Sequence, residues 1–367
     1  MDRYPAYIVP LPKDLAQSVR CADLLLMNCL DCGHLQQAVP DPEIQRLIYD
    51  VYYSYYSVDR AEALLPHYRV PFHTFFSETF GRLSPALSSL LEIGCSSGAN
   101  VDFFKQFCER YVGVDASEKI ADAKREHPDC EFVHGYFPGA MPSGRFDCIV
   151  SQFNLEHIAD LVEFLTAAWQ LASERATLVI QVPDIGEFVR HGQPNFLAHE
   201  HLQYFRQDQL AYVMRRTGWE PETWAPQGSS LICAAKRSQP ITQKPQMMKN
   251  DDVEGIAHRL AQTPAVRSNA VVMYGVGPQL FWLAQRVAPE AIKYVVDDNP
   301  SYKGHHVPAL GLPVLTLTEE MLAEVPYVVL SLNSIYHEKV IARIRSLGRT
   351  TTILACLDNG WAEFTVN

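Results

Sequence analysis

The run Leu90-Leu-Glu-Ile-Gly-Cys-Ser-Ser-Gly98, followed by Tyr111-Val-Gly-Val-Asp-Ala-Ser117, constrains this 367-residue chain more than any other stretch. An apolar strand enters a glycine-rich turn, a helix-length segment follows, and a second apolar strand ends in an acid. That is the pattern of a βαβ unit. Glycines at the turn let the backbone approach a ligand closely, and Asp115 at the end of the second strand can accept hydrogen bonds from both hydroxyls of a ribose. The pattern reads as a nucleoside-cofactor pocket.

The glycine spacing selects the cofactor. A dinucleotide site needs G-x-G-x-x-G so that a pyrophosphate can sit on the helix N-terminus, whereas this turn has only Gly94 and Gly98, with Glu92 two residues before the first. An acid there suits a cationic ligand. This Glu-x-Gly-x-x-x-Gly pattern with a downstream Asp resembles the class I S-adenosylmethionine-dependent methyltransferases, whose cofactor carries an ammonium and a sulfonium and no phosphate. The resemblance implies S-adenosyl-L-methionine as cofactor, held by Glu92, Gly94, Cys95, Gly98, Asp115 and Ala116.

Apolar runs predict strands over Leu90–Ile93, Tyr111–Val114, Glu131–Val133, Phe146–Ser151 and Ala176–Val182, with a final pair over Trp219–Trp224 and Ser230–Ala235. Alternation with helical patterns gives an α/β doubly wound sheet, which binds ligands beyond the carboxyl ends of its strands. There stand Tyr136 and Phe137, for adenine stacking or equally as core or rim aromatics of a loop, and the Asn154 to His157 loop, for the methionine end. Residues 1–60 form a small N-terminal module, 61–240 the cofactor domain, 241–252 a polar linker and 253–367 a second Rossmann-like α/β domain. In this last unit the strand-to-glycine turn Ala270 to Gly277 and the run Ile292 to Asp298 repeat the βαβ logic.

Composition sets limits. A formal charge of −11 argues against general nucleic-acid or anionic-membrane binding, and no run approaches a membrane span. The polar start lacks the apolar core of a signal peptide, so a cytoplasmic location is expected. Nine cysteines fit reduced thiols better than a disulfide framework. Cys29-Leu-Asp-Cys32-Gly has the shape of a zinc half-site that Cys21 and His34 would have to complete. No second Cys-x-x-Cys exists, and the turn reads equally as a knuckle that kept its shape without metal. No metal is assigned.

After the fifth strand come Asn195 to Phe205, with His199-Glu200-His201 at the centre. Such residues are costly to bury unless used. On a helix the two histidines diverge, and no third metal ligand is evident nearby, so a general-base reading is preferred. The order of knuckle, cofactor core, His-Glu-His-x-x-Tyr-Phe, Gly228-Ser229-Ser230-Leu231 and Val-Val-Asp-Asp-Asn-Pro resembles the sugar C-methyltransferases that act on nucleotide-linked keto-deoxysugars, over nearly the whole chain. The resemblance implies His201 as base assisted by Glu200. It also implies substrate contacts from Tyr53, Tyr56, His199, Gln227 and Ser229, and a C-terminal half enclosing the nucleotide end of the sugar near Tyr274 to Gln279. Ala198, Gln227 and Ile232 replace the family's tyrosine, histidine and arginine, which points to a changed acceptor. The expected partner is a small molecule, a nucleotide sugar or natural-product intermediate, acted on by a monomer or homodimer. O- or N-methylation of such an intermediate, a non-catalytic scaffold and a nicotinamide enzyme built on Gly275-Val-Gly277 are the competing readings.

Overall fold

The structure is a computed structural model and describes residues 3–52, 58–81, 87–190, 192–226, 230–241, 258, 260–263, 266, 268–357 and 360–367. At the N-terminus β1 (Tyr4–Pro5) pairs with β2 (Cys21–Ala22), and β3 (Leu26–Asn28) pairs with β4 (Leu35–Gln37) across the Cys29–Cys32 turn. Gly33 closes that turn at φ 69°, a left-handed conformation that glycine adopts freely.

The central sheet comprises β5 (Leu87–Ile93), β6 (Cys108–Asp115), β7 (Glu131–His134), β8 (Phe146–Gln152) and β9 (Ala172–Pro183), all parallel. Their spatial order is β7-β6-β5-β8-β9, the reversal beside β5 that characterises doubly wound sheets. Beyond β10 (Gln203–Tyr204) the chain adds β11 (Trp219–Trp224) and β12 (Ser230–Arg237), and β12 inserts antiparallel between β9 and β11. The Trp219–Trp224 strand coincides with the apolar run. The other six are longer than their runs because pairing continues into flanking polar residues. Leu91, Ile93, Val112 and Val114 pack into one face, while Leu90, Tyr111, Cys148 and Val150 meet the helix Val58–Phe80 on the other. Burial on both faces explains why these strands read as continuous apolar runs.

The C-terminal sheet repeats this plan. Strands β13 (Val271–Tyr274), β14 (Ile292–Val296), β15 (Val314–Leu315), β16 (Tyr327–Leu330) and β17 (Thr351–Leu357) run parallel in the order β15-β14-β13-β16-β17, with β18 (Gly360–Val366) antiparallel at the edge. The second α/β domain read from the glycine turn and the acidic strand end is therefore present. Among the described residues no helix is long and apolar enough to cross a membrane.

The long-range packing of the N-terminal module is not visible in the sequence. Leu11 and His306 exchange backbone hydrogen bonds of 3.0 and 2.7 Å, and Ala309 N donates to Ala16 O. Tyr4, Leu11 and Ala16 share one apolar core with Phe281 and Val307 of the C-terminal domain and with Phe196, Leu197 and Ala198 of the His-Glu-His segment. Beyond Ile241, the expected linker lies outside the described residues. The Tyr4 hydroxyl donates to Leu197 O at 2.8 Å in a fully buried setting. Tyr4→Phe leaves that carbonyl unsatisfied, with an expected cost of about 1–2 kcal/mol. Chemical denaturation and amide exchange across 195–204 should both register the loss. Unchanged exchange there would contradict the clamp.

Candidate active site

The turn after β5 is shaped by two glycines at φ 89° and 79°. A Cβ at Gly94 would come within 3.1 Å of the Asn154 side chain, and one at Gly98 within 3.0 Å of Ala123. Both positions are therefore closed to any side chain by conformation and by space. Asp115, at the end of β6, ties this turn to its own strand end, one carboxylate oxygen to each. Oδ2 accepts from Ser96 N and Oδ1 from Ser117 N, each at 2.7 Å. A carboxylate oxygen has two lone-pair sites, so each retains one acceptor position for a ribose hydroxyl. The C-terminal domain repeats the device: Asp297 accepts from Val276 N and Asn299 N, both at 2.9 Å.

Glu92 departs from expectation. It was read as facing a cationic ligand, but only 2% of it is exposed. Tyr111 Oη and Asn100 Nδ2 donate to its carboxylate, and Asn100 also donates to Gln152 Oε1 at 2.8 Å. Burial raises its pKa from 4.5 to about 7 despite these hydrogen bonds. Cys95 is likewise turned inward: its Sγ packs so close to Gly113 that a Cβ there would approach to 2.7 Å. Ala116 contributes its carbonyl, which accepts from His134 Nε2 at 3.0 Å. Tyr136 is 75% exposed, whereas Phe137 turns away to pack edge-on against Phe164 of the core, the core-aromatic alternative for that position.

Across from Gly94, Asn154 Nδ2 donates to Ser151 Oγ, which donates to Ile93 O. This fixes the loop after β8 against the glycine turn. Its far end is joined to the His-Glu-His segment: Leu202 N donates to Glu156 O at 2.7 Å, His157 Nδ1 lies 2.9 Å from Glu200 O, and Gln203 Nε2 donates to Ile158 O. β10, within that segment, then pairs with β4 of the N-terminal module.

His157 and His201 consequently face each other, with ring centroids 5.2 Å apart. His201 Nδ1 lies 3.3 Å from Phe196 O. Because carbonyls only accept, both rings carry their proton on Nδ1 and present a bare Nε2. Burial and the neighbouring His157 lower the pKa of His201 to about 4. The acid beside the pair is Glu156, with Oε1 3.8 Å from His157 Nε2. Glu200 supplies its backbone carbonyl to His157, and no hydrogen bond joins its carboxylate to His201. Glu156 was overlooked because an acid next to a buried leucine in a loop has no periodicity to betray its burial.

His199 was expected to meet substrate. Only 4% of it is exposed, and its Nε2 lies between Tyr4 O and Ala22 O at 3.2 and 3.3 Å, where it fastens the N-terminal strands. His34, weighed as a zinc ligand, instead bonds Gln203 Oε1 at 2.8 Å. Among the described residues, Cys21, Cys29, Cys32 and His34 do not gather as ligands. Tyr53, Tyr56, Gln227 and Ser229 lie outside the described residues.

Residues 60–223 match the family model described as "Methyltransferase domain". This segment is a class I methyltransferase domain. The glycine turn and the two open acceptor positions of Asp115 fit the nucleoside of S-adenosylmethionine. The chain is 22% identical over 238 residues to C-methyltransferase NovU of Streptomyces niveus, covering 62% of this chain and 54% of that protein. It is 26% identical over 132 residues to trans-aconitate 2-methyltransferase of Escherichia coli, covering 35% and 44%. The chain thus spans about half the length of these relatives. Among solved structures, a Burkholderia thailandensis 1,6-didemethyltoxoflavin-N1-methyltransferase with bound S-adenosylhomocysteine aligns at TM-score 0.43 and 16% identity, over 58% of this chain and 99% of that one. The N-methyltransferase NodS of Bradyrhizobium japonicum aligns at 0.36 and 18%, over 46% and 89%.

A carboxyl whose folded pKa is raised keeps a proton that the unfolded chain has lost. Its contribution to stability therefore falls as pH rises from 4.5 towards 7, and is level above that. Glu92→Gln removes this loss. Relative to wild type, the variant should gain about 2–3 kcal/mol on going from about pH 5 to about pH 8. Denaturation at the two pH values checks this, and a pH-independent difference would contradict it.

Proposed function

We propose that this methyltransferase acts on the carbon beside a ketone in a small acceptor, a keto-sugar nucleotide or a related metabolite. The observation that carries the reading is the bare Nε2 of His201, on a ring 5.2 Å from that of His157, which ends the loop that begins against Gly94. Methylating carbon requires a base to remove a proton from a weak carbon acid, and a neutral imidazole with an open lone pair is equipped for that. Transfer to oxygen or nitrogen asks less of the protein. The C-methyl activity in the name of NovU supports the same reading.

S-adenosylmethionine supplies a methyl group activated by its sulfonium. Asp115 holds the ribose hydroxyls, Gly94 and Gly98 admit the nucleoside to the backbone, and Tyr136 offers an exposed ring to the adenine. Glu92 acts from beneath the turn, where it accepts from Asn100 Nδ2 and holds that side chain in place. His201 Nε2 takes the proton from the acceptor carbon, with Nδ1 anchored on Phe196 O so that the ring keeps its orientation. Fixed geometry of this kind is where most of the rate arises.

The test combines a panel of keto-sugar nucleotides with isotope-labelled methyl donor, and locates the new bond by nuclear magnetic resonance. A carbon-bound methyl is expected, with His201→Ala lowering kcat by roughly 10²–10⁴. Deuterium exchange at the acceptor carbon, with S-adenosylhomocysteine in place of the donor, should fall in parallel. A methyl on oxygen or nitrogen, formed equally well by His201→Ala, would overturn the carbon reading. It would favour the second reading, O- or N-transfer to a natural-product intermediate, in line with His201 donating no hydrogen bond to the Glu200 carboxylate among the described residues.

A further inference from the structure

Glu156, His157 and His201 place one carboxylate oxygen and two imidazole nitrogens within 4.8 Å of one another. Two features make this a ligand set rather than a chance cluster. Both histidines use Nδ1 on a backbone carbonyl, Glu200 O at 2.9 Å and Phe196 O at 3.3 Å, which fixes the tautomer and leaves each Nε2 its lone pair. Metal-ligating histidines are held in this way, with the second nitrogen engaged by a carbonyl or carboxylate. Glu156 is 2% exposed, and its Oε2 is fully buried with no hydrogen-bond partner. A buried carboxylate oxygen left without a donor is costly, and a cation would satisfy it.

We infer that these three side chains form a site for a divalent transition-metal ion. Two imidazoles and one carboxylate suit ions of intermediate softness, such as Zn²⁺, Co²⁺ or Fe²⁺, better than Ca²⁺ or Mg²⁺, which prefer oxygen ligands. Tetrahedral binding at 2.0–2.1 Å brings ligand atoms to roughly 3.3 Å apart, so the three must close by about an ångström. Glu156 and His157 sit on the single turn Leu155–His157, and His157 and His201 are both half-buried, which gives an ion a route of entry. The site is tied to cofactor chemistry, because its loop starts at the Asn154 contact with Gly94.

One consequence rests on the proposed carbon methylation. An ion on the two Nε2 atoms removes the lone pair that would take the acceptor proton, so the ion-loaded chain cannot use His201 as a base. Metal binding itself is independent of that reading, and can be tested without an acceptor.

The experiment uses the full chain freed of metal by chelator and titrated with Co²⁺, followed by visible absorption and calorimetry. One Co²⁺ per chain is expected, with ligand-field bands and no thiolate-to-cobalt charge-transfer band. The Cys29→Ser/Cys32→Ser variant, which removes the other candidate ligands, should bind Co²⁺ unchanged. Glu156→Gln and His201→Ala should each weaken binding by roughly tenfold or more, with circular dichroism confirming the fold. Absence of Co²⁺ binding to the wild type overturns the inference. So does binding that both variants retain, or binding that carries the thiolate band and disappears in the cysteine variant.

Discussion

Buried backbone amides and carbonyls must find partners, and in this chain that requirement builds the site. Residues 192–202 contain no helix or strand, yet the apolar side chains of Phe196, Leu197 and Ala198 draw the segment into the core. Its polar groups are satisfied from three directions: by Tyr4 and Gln37 of the N-terminal module, by the loop after β8, and by its own Tyr204. The imidazoles of His157 and His201 are oriented as a by-product of this bonding, since each spends one nitrogen on a carbonyl. The N-terminal strands are therefore part of the wall that sets the chemistry, and not a detachable flap.

A second constraint is the reuse of one βαβ device. Asp115 and Asp297 each bind two backbone amides across a strand end, and the two sheets share the order 3-2-1-4-5. In the first unit, Asp115 keeps acceptor capacity at a turn that no side chain can fill. In the second, Tyr274 and Gln279 are committed inward, to Asp298 and to Leu330 O. The duplicated plan thus leaves an open turn in one half and, for these residues, turns to internal packing in the other.

What the sequence disclosed follows from this division. The strands, the glycine turn and Asp115 were legible because local rules produce them: apolar runs buried on both faces, and conformations that demand glycine. Glu92 and His199 were misread because motif position does not state which way a side chain points. Glu92 is drawn under the turn by Tyr111 and Asn100, and His199 is captured by the carbonyls of Tyr4 and Ala22. Glu156 was missed because its partners arrive from a distant segment whose path depends on the N-terminal module. A third ligand was sought for His199 and His201 as a pair, whereas the fold separates these two and sets His201 beside Glu156 and His157 of the loop after β8.

The central claim is that the glycine turn and Asp115 hold the nucleoside of S-adenosylmethionine. Calorimetric titration of the full chain with S-adenosylhomocysteine, beside Asp115→Asn, tests it most directly. The account predicts micromolar binding by the wild type, and a loss of roughly tenfold or more in the variant, whose amide presents one acceptor where the carboxylate presents two. No binding to the wild type, or equal binding to both, would contradict it.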